Sequence, residues 1–103
     1  MAEEIQKDAP KQNVQIKADE KELLGQYTNL VMVHNTPEEF ILNFIYLFPT
    51  RQQGKLVSSL ILSPGHAKRL LAALSENIRG YEAQYGPIRE KKPEPTPEVG
   101  FIQ

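Results

Sequence analysis

The stretch from Ser63 to Pro87 constrains the fold more than any other, because it reads as one long helix with both ends marked. Serine at the N-cap accepts a hydrogen bond from an orphan backbone N–H. Pro64, at the first helical position, lacks an N–H that would have had no partner there. Ala67, Leu70, Leu71, Leu74, Ile78, Tyr81 and Tyr85 then recur at helical spacing, and Lys68, Arg69, Glu76, Arg79 and Glu82 fill much of the rest. Gly86-Pro87 ends the run, since proline cannot continue a helix. Gly80 inside it costs about 1 kcal/mol relative to alanine. The spacing predicts a helix from Pro64 to about Tyr85.

Everything before Ser63 reads as strand and turn. Asn13-Val14-Gln15-Ile16-Lys17 alternates apolar and polar, as a short edge strand does. Polar Ala18–Glu22 and then Gly25 interrupt it. Tyr27–His34 is rich in β-formers, and Asn35-Thr36-Pro37 is a turn signal. Phe40–Phe48 is a second apolar run closed by Pro49. Thr36-Pro37-Glu38-Glu39 also reads as a helix start with a capping box, which would make this run helical; its aromatic and β-branched content favours a strand. After Arg51-Gln52-Gln53-Gly54, Lys55–Leu62 forms a further strand, with Leu56, Ser58, Leu60 and Leu62 expected on one face. The fold class is therefore α+β: an antiparallel sheet of three to four strands followed by one long C-terminal helix. Residues 1–12 read as a flexible leader and 13–88 as a single domain. Residues 89–103, with Pro93, Pro95 and Pro97, read as a disordered tail expected to be mobile. Val99-Gly100-Phe101-Ile102 within it is an apolar island, readable as a docking peptide or a frayed end.

Composition narrows the function classes. The 103 residues contain no cysteine, which excludes disulfides, thiolate nucleophiles and cysteine-based zinc sites. Hydrophobic residues make up 40 % and charged residues 24 %, the balance of an ordinary globular domain. At a formal net charge of −1 no overall field attracts nucleic acid or an anionic membrane. No apolar stretch approaches the roughly 20 residues of a membrane span. The acidic, polar opening Met1–Asp8 lacks the basic start and apolar stretch of a secretory signal, so a cytoplasmic location is expected.

A set of residues between Gly25 and Ile88 resembles a known family. It comprises Tyr27-Thr28-Asn29, Glu38-Glu39-Phe40-Ile41-Leu42-Asn43-Phe44 and Pro49, then the run from Leu62-Ser63-Pro64-Gly65-His66-Ala67 to Leu74. Asn77-Ile78, Tyr81-Glu82 and Tyr85-Gly86-Pro87-Ile88 complete it. This pattern is similar to the prokaryotic domain-of-unknown-function family 3467. The resemblance implies an aspartate at the place of Asn43 and Tyr-Ala-Asn at the place of Tyr27-Thr28-Asn29; the loss of a carboxylate at Asn43 argues against acid–base work there. The resemblance implies no activity. The order of strands followed by a long helix is also similar to SecB-type export chaperones, in topology alone, and fold does not imply function.

No pattern for catalysis stands out. His34 and His66 are the only histidines, and neither has the clustered carboxylates or histidines a metal site needs. Neither a Ser-His-Asp spacing nor a glycine-rich phosphate loop is visible. Gly65-His66-Ala67-Lys68-Arg69 places positive charge at a helix N-terminus, where anions bind readily, although solvated side chains around a simple cap explain it as well. No cofactor, metal or catalytic residue is expected, and the chain is not expected to be an enzyme.

Excess apolar surface is the more telling feature. In Tyr27–His34, Val31 and Val33 fall on one face, and Leu30 and Met32 on the other. In Phe40–Phe48 the sets are Phe40, Leu42, Phe44, Tyr46 and Phe48 against Ile41, Ile45 and Leu47. One helix covers one face of such a sheet, so the second face needs a partner, and the simplest partner is another copy of the chain. The expectation is a non-catalytic, homo-oligomeric interaction or adaptor protein, most simply a dimer. A SecB-like holder of unfolded client chains and a nucleic-acid-associated regulator are the alternatives, the charge weighing against nucleic acid. Tyr27, Asn29, Phe40, Leu42, Phe44, Tyr46, His66, Lys68 and Arg69 are the interaction candidates.

Overall fold

A computed structural model describes residues 12–90 and 96–103. Nearly all of the expected leader, and residues 91–95 of the expected tail, lie outside the described residues. In chain order the elements are α1 (Glu20–Leu24), β1 (Leu30–Asn35), β2 (Phe40–Leu47), β3 (Gly54–Leu62) and α2 (Pro64–Tyr85). The strands form one antiparallel sheet in the order β1-β2-β3, followed by the long helix, as the strand and cap signals predict.

Local chemistry sets the turns. Between β1 and β2 the Thr36 hydroxyl accepts hydrogen bonds from the backbone N–H groups of Glu38 (3.2 Å) and Glu39 (3.1 Å). Thr36 thus does cap, but it caps a turn, and the aromatic run that follows is a strand. Between β2 and β3, Phe48 N–H donates to Gln53 O (2.9 Å), and Arg51 adopts a left-handed φ of 62°. That conformation costs a non-glycine residue about 1–2 kcal/mol. Gly54 then runs so close to β2 that a Cβ there would lie 2.6 Å from the Tyr46 carbonyl oxygen.

Asn29 extends the sheet with its side chain. Its Nδ2 donates to Leu47 O (3.1 Å), its Oδ1 accepts from Leu47 N–H (2.7 Å), and its backbone N–H donates to Ile45 O (3.1 Å). One amide side chain thereby satisfies both backbone groups of Leu47, as a further strand residue would.

Three expectations need correction. Residues 13–17 form no strand, and Val14 and Ile16 stand in solvent; alternation stabilises a strand only when a neighbour supplies the ladder hydrogen bonds. Ala18–Glu22 is not merely an interruption, because Glu20–Leu24 is a short helix. Asp19 Oδ1 accepts from Glu22 N–H (2.8 Å) and Glu22 Oε1 accepts from Asp19 N–H (2.9 Å), a reciprocal capping box. Third, Leu56 does not share a face with Ser58, Leu60 and Leu62. Phe44 pairs with Ser58 but Ile45 pairs with Leu56, so Val57 is a β-bulge that turns Leu56 to the opposite side.

With the bulge placed, the faces follow. One carries Val31, Val33, Phe40, Leu42, Phe44, Tyr46, Leu60 and Leu62. The other carries Leu30, Met32, Ile41, Asn43, Ile45, Leu47, Leu56 and Ile61. On the second face the Ser59 hydroxyl donates to Asn43 Oδ1 at 2.6 Å.

The helix ends as read. Ser63 Oγ accepts from His66 N–H (3.2 Å) and Pro64 opens the first turn. Gly86, at φ 95°, closes it with its N–H on Glu82 O (2.9 Å). The helix does not cover a sheet face, however, and none of its residues is buried. Only Ser63 separates β3 from α2, which leaves no loop to fold the helix back across the strands.

Candidate interaction surface

Two apolar surfaces meet where β3 passes into α2. Val33, Phe40, Leu42 and Leu62 form a sheet wall, and Ala67, Leu70, Leu71 and Leu74 form a helix wall, around an open groove of about 350 Å³. Val33 keeps 55 % of its surface in water and Leu71 65 %. Beyond the groove the helix stripe runs on through Ile78, Tyr81 and Tyr85, the two tyrosine rings 4.9 Å apart, and these three side chains are exposed as well. At the far end of the same sheet face lies an aromatic cluster. Tyr27 meets Tyr46 edge-on at 6.0 Å, and Tyr46 lies 5.7 Å from Phe48. Aromatic pairs in these geometries add about 0.5–1.5 kcal/mol beyond the area they bury.

The candidate residues separate into three groups. Phe40, Leu42, Phe44 and Tyr46 share the open sheet face, each half-buried, and Tyr27 joins them through Tyr46. Asn29 is occupied by the Leu47 backbone and acts as a splint for the sheet. His66, Lys68 and Arg69 sit exposed on the first turns of α2, where Ala67 rather than any of them lines the groove. The helical spacing of Leu70, Leu71 and Leu74 marks an amphipathic stripe, and in the structure that stripe is exposed surface rather than cover for the sheet.

Among the described residues no group of three or more His, Asp or Glu side chains is placed to hold a metal ion. The Arg79 guanidinium is pushed up from its ordinary value by its hydrogen bond to Glu76 (2.5 Å) and by the Glu76 charge. That pair lies one turn apart on the exposed helix surface, with no cleft around it. No described helix is long and apolar enough to cross a membrane.

A family model described as a protein of unknown function, DUF3467, matches residues 1–90. The chain belongs to the DUF3467 family. No curated protein and no solved structure matches it. Several residues that carry the family resemblance have visible structural work in this DUF3467 chain. Asn29 splints β2, Ser63 and Pro64 start the helix, and Gly86 ends it. Glu82 accepts a hydrogen bond from Ile88 N–H (2.8 Å) and so ties down the segment that leaves the helix.

Proposed function

We propose that this DUF3467 chain works without catalysis, as a cytoplasmic interaction protein whose unit is a homodimer joined through the open sheet face and the helix stripe. The observation that carries this is the near absence of a core in one copy: among the described residues Ile45 alone is buried, at 4 % exposure. Val31, Val33 and Leu60 on the sheet keep at least 40 % of their surface in water, as do Leu70, Leu71, Leu74, Ile78 and Tyr81 on the helix. A standard interface, which buries roughly 800 Å² per partner, would take such side chains out of water. Burying one such side chain fully is worth roughly 1.5–3 kcal/mol, so a row of them favours association strongly. A two-fold pair sets identical patches against each other and closes without leaving a free end. The lack of cysteine suits a reducing compartment.

Sedimentation equilibrium at micromolar concentration tests the reading. The expected species has twice the 11.7 kDa chain mass; a stable, soluble monomer overturns it. The SecB-like alternative puts an unfolded client on the same open face, a reading favoured by the width of that face. Suppression of aggregation of a denatured client at equimolar ratio is the result that would select it.

A further inference from the structure

The second sheet face presents a contrast within one strand. Ile45 and Ile41 lie on the same side of β2, four residues apart, yet Ile45 is buried and Ile41 only half-buried. Besides the cross-strand neighbours, Leu30 and Leu56 for Ile45 against His34 and Ile61 for Ile41, one difference is the C-terminal segment. Pro97, Glu98, Val99, Gly100 and Phe101 lie against the β2–β3 hairpin, where Ile45, Leu47 and Leu56 supply apolar side chains. At the opposite end of this face, away from the segment, Ile61 is 62 % exposed. Within residues 96–103 only Val99 loses much of its surface, and Ile102 remains 97 % exposed. The contact is therefore local and shallow, and a cleft of about 150 Å³ remains beside it.

We propose that the segment 97–101 is a tethered ligand occupying a peptide-binding groove on the hairpin end of the second sheet face. The groove's partner class is an extended peptide with apolar side chains two residues apart. Val99 and Phe101 have that spacing, which puts both on one side of an extended chain. Because the ligand is joined to its groove, a free peptide competes against an effective concentration of about millimolar, so the groove of the intact chain is largely closed to weak ligands. The inference uses a different face from the proposed dimer contact and does not rest on it.

A fluorescein-labelled peptide of residues 96–103 tests this by anisotropy against the full chain and against the full chain carrying Val99→Ser and Phe101→Ser. The variant is expected to bind the peptide at least tenfold more tightly than the unaltered chain. A peptide with the same two serines is expected to lose at least tenfold in affinity. Equal affinity for both chains, or no binding to a variant that keeps its far-ultraviolet circular dichroism, overturns the proposal. If the variant unfolds, the unaltered chain titrated with millimolar unlabelled peptide decides: the methyl resonances of the chain's own Val99 move toward free-chain values if the tether is displaced, and their staying fixed overturns the proposal. Sedimentation of the same samples reports self-association separately, so each reading fails by its own measurement.

Discussion

β2 and α2 carry much of the chain's apolar surface, and their surroundings are opposite. Every residue of β2 is at least half-buried, because strands flank it on both sides and supply its hydrogen bonds and part of its packing. α2 has 22 residues and not one is buried. Its backbone is satisfied internally, but helices in water draw most of their stability from packing an apolar face rather than from propensity. The central strand is thus satisfied within the chain, while the apolar stripe of the helix is left uncovered by it. What separates them is connectivity: tight turns lay the strands side by side, and the single residue Ser63 sends the helix off the end of β3.

The strongest way to break this contrast is Leu74→Glu. A carboxylate in the apolar groove has no partner there and opposes burial of the stripe. The dimer dissociation constant is expected to rise at least about 100-fold, which corresponds to roughly 2.7 kcal/mol. Sedimentation equilibrium reads it, and an unchanged constant would show that the helix stripe lies outside the contact.

Gly54→Ala attacks the sheet instead. The added Cβ meets backbone, the Tyr46 carbonyl, rather than a side chain free to turn away. Overpacking of this kind costs about 1–3 kcal/mol, seen as a lower urea midpoint. The dimer constant should follow only through lost stability, in contrast to the helix variant.

Asn29→Ala sharpens the account of what holds the sheet together. It removes two hydrogen bonds to the Leu47 backbone, each worth about 0.5–1.5 kcal/mol net. Solvent access at this edge places the loss near the lower end of their sum. Backbone hydrogen exchange at Leu47 should accelerate, and a protected Leu47 amide would mean that another group replaces the splint.

The elements legible in the sequence are those specified within a few residues. Ser63-Pro64 and Gly86-Pro87 act locally, so the helix lies where they put it. The β-branched and aromatic content of Phe40–Leu47 is likewise decisive over a helix-start signal that a turn uses instead. Other features depend on partners distant in the chain. Asn29 acts on a residue 18 positions later, and the bulge at Val57 exists only relative to β2. The alternation at 13–17 is locally sound and has no neighbour to pair with. The capping box of Asp19 and Glu22 was readable by the same rule applied at Thr36 and was passed over in a segment read as polar filler. Of the candidate surface, the apolar sheet face was visible from strand alternation. The exposed helix was not, because amphipathic spacing says which side wants cover and nothing about whether the chain supplies it.

The bulge has a further effect on the chemistry of the second face. Strict alternation continued back from Ser58 would set Val57 opposite Ile45 and Lys55 opposite Leu47, and would turn Leu56 to the other side. The extra residue exchanges these positions, so Leu56 rather than Val57 lies beside Ile45, and Gly54 rather than Lys55 lies beside Leu47, where the C-terminal segment rests. Chain length in β3 therefore acts on this surface as residue identity does elsewhere. An insertion between Leu56 and Ser58 that kept a single bulge would set Lys55 beside Leu47 in place of Gly54, a charge where there is now no side chain, without altering a single codon for the residues that form the hairpin.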